Sequence, residues 1–197
     1  MARPRVVLAT RNQHKLRELG QILAGVELVA LPAEVELPPE DGETFADNAL
    51  IKARAAREAT GAAAIADDSG IEARALGGRP GVRSARYAGP NASDAENLEL
   101  LLSELDGAGD RAVGYVCVIA YVGEDGEERL FEGFCEGEMA AEPRGSGGFG
   151  YDPAFVPIET GPDDRRTMAE LDPAEKHAIS HRGRAARALA AWLEAGS

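Results

Sequence analysis

An α/β fold with a mixed sheet is what this sequence predicts, and three observations carry the prediction. Short apolar runs at Val6–Ala9 and Val26–Ala30 are each followed by a helix pattern, the alternation expected of strands joined through helices. A third run, Ala62–Ala66, reads as a buried strand that stops at Asp67-Asp68-Ser69-Gly70. Residues 111–122 and 128–141 then read as a long β-hairpin with its turn at Gly123–Gly126. Long strands with few turns fit a mixed sheet better than a purely parallel one.

The individual elements follow in order. Thr10-Arg11-Asn12-Gln13 is a polar turn, and Leu16, Leu19, Ile22 and Leu23 mark the helix after it, with Gly25 just past its end. Strand, polar turn and helix N-terminus together present backbone N–H groups to an anion. Lys15 stands in that first turn, where its charge opposes the helix dipole unless an anion lies nearby. A Pro-rich acidic connection through Pro38-Pro39-Glu40-Asp41-Gly42 leads to Thr44, a helix N-cap with Asp47 three residues on. That helix runs from Phe45 to about Glu58 and puts Asn48 and Lys52 on one face, either as a site or as an exposed stripe.

Asp67-Asp68-Ser69-Gly70, taken alone, reads first as a solvated turn. Its position is what raises a second reading. Ligands of open α/β sheets gather beyond the carboxyl ends of strands. Two carboxylates there offer oxygen donors to a hard cation, and Mg²⁺ takes one or two carboxylates plus substrate phosphates. Pro80–Gly89 is ambiguous. Ser93-Asp94-Ala95-Glu96 is a capping box opening a helix through Leu98, Leu101 and Leu105. Gly145-Ser146-Gly147-Gly148-Phe149-Gly150 matches G-x-G-x-x-G, but Pro153 and Pro157 forbid the helix that a dinucleotide fingerprint requires. A glycine-rich loop bearing Phe149 and Tyr151 instead suits a planar ring, or is simply a flexible loop. Asp172-Pro173-Ala174-Glu175 starts another helix. Whether that helix runs on into the alanine-rich C-terminal segment, or Ser180 caps a second one, stays open. His177 and His181 at i, i+4 lack a third ligand cluster for zinc.

Composition narrows the function classes. At 197 residues the chain suits a single domain spanning 1–197, with one core of two lobes at most. A net charge of −13 disfavours nucleic-acid binding. The N-terminus lacks the apolar core of a signal peptide and no window reaches transmembrane length, so neither export nor a membrane is expected. Cys117 and Cys135 show neither zinc spacing nor a disulfide framework, which fits a reducing cytoplasm. Lysine and arginine total 21, yet only Lys15, Lys52 and Lys176 are lysines. Each is therefore a candidate for a site that wants a compact ammonium on phosphate.

Four segments stand out together: Thr10–Lys15; Glu40–Phe45 with Asn48 and Lys52; Ala66–Gly70 with Gly77–Gly81 and Ser84–Tyr87; and Gly147–Pro153 with Glu175-Lys176 and Ile179–Gly183. In that order, over nearly the whole chain, they resemble the inosine/xanthosine triphosphate pyrophosphatase family. The resemblance implies an elongated two-lobed α/β fold around a long mixed sheet flanked by helices, with the active cleft between the lobes and a homodimer as the usual assembly. It implies Mg²⁺-dependent hydrolysis of ITP, dITP and XTP to the monophosphate and pyrophosphate. Carried over residue by residue, it gives Asp68 and Lys52 catalytic roles and Glu40 and Asp68 the metal. Thr10, Arg11, Asn12, Gln13, His14 and Lys15 fall to the phosphate chain and Ser69 to a substrate contact. Phe149, Gly150, Tyr151, Asp152, Lys176, His181 and Arg182 fall to the nucleoside. Arg11 departs from the small residue common there, and either adds a phosphate contact or faces solvent. Two alternatives are a broader nucleotide pyrophosphatase and a catalytically silent nucleotide-binding regulator.

Overall fold

The computed structural model describes residues 3–195, so the outermost residues of the expected 1–197 domain lie outside the described residues. Six strands form one sheet in the order β2-β1-β3-β4-β5-β6. They are β1 (Arg5–Leu8), β2 (Glu27–Ala30), β3 (Ala64–Ala73), β4 (Ala112–Val122), β5 (Glu128–Met139) and β6 (Phe155–Pro157). Five helices accompany them: α1 (Gln13–Ile22), α2 (Phe45–Thr60), α3 (Asp94–Glu104), α4 (Pro173–Ile179) and α5 (His181–Ala195). β1 runs parallel to both β2 and β3, whereas β5 and β6 are antiparallel, so the sheet is mixed as the sequence predicts.

Two compact units divide the chain. Unit 1 takes the residues up to Asp68, Cys117–Gly133 and those from Arg182 onward; unit 2 takes Ser69–Val116 and Phe134–His181. In unit 1, strand alternation sorts the core into two layers. Val6, Leu8, Ile65, Cys117 and Ile119 pack with Leu19 of α1, its C-cap Leu23, and Ala185, Ala186 and Leu189 of α5. Val7, Ala9, Ala64, Ala66 and Ala120 pack with Ala49, Ala53 and Ala56 of α2. Unit 2 has its own core. Leu98 and Leu101 of α3 and its C-cap Leu105 meet Ile71 and Ala73 of β3, Tyr115 of β4, Met139 of β5 and Phe155 of β6.

The capping signals work as chemistry requires. Thr44, Ser93 and Asp172 each close a capping box with Asp47, Glu96 and Glu175 respectively. The open question at Ser180 resolves into two helices. Its backbone is extended at φ −64°, ψ 151°, which ends α4 before α5 begins at His181. One expectation is corrected. The apolar run does not stop at the carboxylates, because β3 continues through Asp67, Asp68, Ser69 and Gly70 to Ala73. Buried partners for both acids let the strand carry charge, so no solvated turn forms. The ambiguous stretch becomes a 3-10 helix over Gly81–Arg86. The short β6 went unread because it is only three residues long.

Candidate active site

In unit 1 the alternation of β3 sends its adjacent acids to opposite faces. Asp67 continues the set of Ile65, toward α1 and α5, and Asp68 the set of Ala64 and Ala66, toward α2. The partners follow suit. Asp67 is 1 % exposed, and its Oδ2 accepts from Lys15 Nζ of α1 at 3.0 Å and from Arg182 Nε of α5 at 3.3 Å. Arg182 Nη1 reaches back to Glu18 of α1 at 2.6 Å. Asp68 Oδ2 accepts from Asn48 Nδ2 of α2 at 3.0 Å.

The register of β1 explains why these groups can converge. β1 pairs with β3 only at Ala64 and Ile65, and the last bond between them runs from Ala9 N to Ile65 O at 2.8 Å. The chain then leaves the sheet through Thr10 and Asn12. Asn12 caps α1, its Oδ1 accepting from His14 N at 2.9 Å and Lys15 N at 3.3 Å, and Thr10 Oγ1 accepts from Asn12 N at 3.2 Å. Lys15 is thereby aimed along the next residues of β3. The anion that offsets its place at a helix N-terminus is Asp67 of the same chain.

Lys52 joins the two acids. It is 6 % exposed, donates to the main-chain oxygen of Asp67 at 2.7 Å and pairs with Glu40. The shared face of Asn48 and Lys52 is therefore a buried site and no exposed stripe. Gly42 N donates to Asn48 Oδ1 at 2.8 Å, and a Cβ on Gly42 would lie 2.8 Å from that oxygen. The connection that carries Glu40 is thus fastened to the same asparagine that orients Asp68.

Charge balance separates the two acids. Burial alone would raise the Asp67 carboxyl, but Lys15, Arg182 and Lys52 outweigh it and hold the group well below the usual carboxylate range. For Asp68 burial wins. Lys52 and Lys15 pull it down, Glu40 pushes it up, and the net direction is upward. Burial also penalises the Lys52 ammonium, yet Asp67, Glu40 and Asp68 together raise it. The two adjacent acids are thus shifted in opposite directions. Glu40 and Asp68 are an all-oxygen pair whose mutual repulsion a hard cation would relieve. Among the described residues no group of three or more His, Cys, Asp and Glu side chains gathers as a metal site.

Unit 2 gathers a second group. Asp152, buried, accepts at Oδ2 from Lys176 Nζ at 2.8 Å and Phe149 N at 2.9 Å, and at Oδ1 from the Tyr115 hydroxyl at 3.1 Å. Lys176 Nζ stands 5.3 Å from the centroid of the Phe149 ring. Gly150 N donates to Asp94 at 2.8 Å, and the Tyr151 hydroxyl to Ser84 O at 2.7 Å. His181 stacks on Tyr115, with centroids 4.5 Å apart at 15°. Gly148 has a φ of +69°, and a Cβ there would sit 2.1 Å from Asp152 Oδ2. Only glycine lets the loop close on that carboxylate. Ser69 is partly buried on β3.

Four of the expected site residues have other partners or face solvent. The Arg182 guanidinium lies with Asp67 and Glu18 and not in the Asp152 group. Arg11 spends its guanidinium on main-chain oxygens of Leu31, Pro32, Ala33 and Val35, at 2.6–3.3 Å, tying down the connection after β2. Gln13 is exposed, and His14 sits 3.0 Å from Arg17 Nη2. Asp67 stood in the sequence only as half of an acidic pair offered to a cation, and its part in holding Lys15 and Arg182 was not read. Glu18, Tyr115 and Asp94 received no site role, because their partners Arg182, Asp152 and Gly150 lie far along the chain.

Fold and site together define a mixed α/β protein whose central strand bears an acidic pair served by helix-borne cations. The Ham1 family profile matches residues 6–192, and the chain belongs to that family. It is 48% identical over 195 residues to the dITP/XTP pyrophosphatase of Corynebacterium diphtheriae, covering 94% of each chain. It is 46% identical to the protein of the same name from Coxiella burnetii, over 95% of this chain and 96% of that one. The solved Ham1 protein of Coxiella burnetii superposes with a TM-score of 0.86 at 45% identity, over 98% of this chain and 99% of that one. That of Staphylococcus aureus gives 0.87 at 40% identity, over 98% and 100%.

Proposed function

We propose that this chain hydrolyses non-standard purine nucleoside triphosphates, dITP, ITP and XTP, to the monophosphate and pyrophosphate. The observation that carries the reading is the acidic pair of β3, which strand alternation splits between the α1/α5 layer and the α2 layer, with Lys15 and Lys52 beside it. Family membership and the names of the relatives support it.

On this reading unit 1 handles the phosphates. Thr10 and Asn12 follow the end of β1, and Lys15 of α1 and Lys52 of α2 both reach the main-chain oxygen of Asp67. Phosphoryl transfer asks mainly for positioning and charge neutralisation. Asp68, oriented by Asn48, takes a proton from a water whose oxygen attacks the α-phosphorus. The bond from that phosphorus to the bridging oxygen breaks, and pyrophosphate leaves. An acid raised above its ordinary pKa is a better base than a free aspartate. Glu40 and Asp68 are the residues that would hold magnesium, which when bound supplies positive charge to the phosphate oxygens.

Unit 2 handles the nucleoside. Phe149 offers a ring face, and Lys176 and His181 offer donors to a 6-oxo group. Adenine would place its own donor there, and a buried polar group left unpaired costs about 1–3 kcal/mol, enough for roughly tenfold to hundredfold discrimination. The protein is further proposed to be a cytoplasmic homodimer with no membrane partner; its net charge of −13 argues against a nucleic-acid partner. No helix among the described residues is long and apolar enough to cross a membrane. The test is hydrolysis of ITP, dITP, XTP, GTP and dUTP with Mg²⁺, separating pyrophosphate from single phosphate. Fast release of pyrophosphate from the first three is expected. Equal rates across the panel, or release of single phosphate, would overturn the reading.

A further inference from the structure

Tyr115 is buried in β4 and touches both arms of the unit 2 group. Its hydroxyl donates to Asp152 Oδ1 at 3.1 Å. Its ring stacks on His181 on one side (4.5 Å, 15°) and on Phe155 on the other (4.4 Å, 28°). Packing within the apolar cluster of unit 2 needs only the ring. A hydroxyl taken out of water costs free energy unless it is bonded. Its use here is the bond to Asp152.

What that bond fixes is the other edge of the carboxylate. Asp152 Oδ2 receives Lys176 Nζ at 2.8 Å and Phe149 N at 2.9 Å. A carboxylate held at one oxygen cannot rotate freely about its terminal torsion, which is otherwise broad. Rotation would pull the Lys176 ammonium away from its place 5.3 Å over the Phe149 ring and loosen the glycine-rich loop. The same tyrosine ring sets the plane of the His181 imidazole. One side chain therefore orients an ammonium, an aromatic ring and an imidazole together.

We propose that Tyr115 is a positioning residue for nucleoside recognition, acting through Asp152 on Lys176 and Phe149 and through ring stacking on His181. The inference rests on the reading that unit 2 takes the nucleoside. It predicts an effect confined to the base end of the substrate, since the groups that meet the phosphates belong to unit 1.

The test uses the full chain as wild type, Tyr115→Phe and Tyr115→Leu. Steady-state hydrolysis of ITP with Mg²⁺ gives KM and kcat, and inhibition by inorganic tripolyphosphate gives a KI that reports on the phosphate end alone. Calorimetric binding of inosine monophosphate reads the nucleoside end without turnover. Because the lost bond lies within the protein and reaches the nucleotide only through Asp152, just part of a hydrogen bond's worth should appear in binding, raising KM for ITP, and Kd for the monophosphate, about three- to tenfold in Tyr115→Phe. Its kcat and the tripolyphosphate KI stay as in wild type. Tyr115→Leu, which also removes the stacked ring, weakens both nucleotides further, so the phenylalanine variant stands as a partial rescue. Wild-type affinity for both nucleotides in Tyr115→Phe would overturn the proposal. So would a parallel rise in the tripolyphosphate KI, which marks a general structural effect. A wild-type protein that neither hydrolyses ITP nor binds the monophosphate would instead overturn the underlying reading, and this inference with it. One that binds the monophosphate without hydrolysing ITP would overturn the hydrolytic reading while leaving the Tyr115 comparison decisive.

Discussion

Replacing Asp67 by asparagine tests the claim that this residue anchors the cations of unit 1. The side chain is buried, and one of its oxygens accepts from both Lys15 and Arg182. Asparagine can keep an acceptor in that place, but it removes the charge and brings a buried NH₂. The second oxygen, Oδ1, has no hydrogen-bond partner among the described residues, so nothing there is set to receive the new donor. Breaking one side of a buried ion pair costs about 3–5 kcal/mol. The retained acceptor and Glu18, which still meets Arg182, favour the lower end, about 3 kcal/mol. For a chain of this length each kcal/mol shifts Tm by about 2–4 °C, so a fall of about 6–12 °C is expected.

The pH dependence sharpens the test. Asp67 is held below its unfolded value, so its contribution is fully present above the unfolded pKa, about 3.9. It is lost as pH falls from there through the folded pKa. Urea unfolding at pH 7 should therefore show the full difference between wild type and Asp67→Asn, and the gap should narrow below about pH 4. A variant within about 1 kcal/mol of wild type at pH 7, or a gap independent of pH, would refute the reasoning.

Three further outcomes follow from the same geometry. Asp68→Asn should abolish ITP turnover, by at least about a hundredfold, while leaving thermal stability equal or higher, because burial already disfavours that charge; full activity would remove Asp68 from the chemistry. Gly148→Ala should raise KM for ITP, since the new methyl would meet Asp152 Oδ2 and the backbone has a positive φ; unchanged kinetics would dismiss the loop from binding. Chelation by EDTA should stop turnover reversibly, with Mg²⁺ restoring it, and the Glu40→Gln variant should need more Mg²⁺ for half-maximal rate.

Much of this was legible in the chain because it depends on near neighbours. The strand–turn–helix start, the three capping boxes and the glycine-rich loop are all written within a few residues. Lys15 and Lys52 stood out as rare lysines, and both ended on the acidic strand. What escaped depends on partners remote in sequence. Arg182 meets Asp67 across 115 residues and Glu18 across 164. Tyr115 meets Asp152 across 37. Arg11 looked available to phosphate, but the carbonyls of the connection after β2 claim it, a geometry that no local pattern announces.

The end of β3 was misjudged for a related reason, and its correction changes the chemistry. Two adjacent acids in a turn would share one solvated environment and titrate alike. The same two acids inside a strand cannot, because successive side chains face opposite layers. Asp67 meets Lys15 of α1 and Arg182 of α5, which fix its charge, and Asp68 meets Asn48 of α2, a neutral donor. Lys52 spans the two by binding the main-chain oxygen of Asp67, a bond that substitution of either side chain leaves in place. Adjacent carboxylates thereby sit in separate surroundings, one paired with two cations and the other bonded to a neutral amide, and the pleat of a single strand is what divides them.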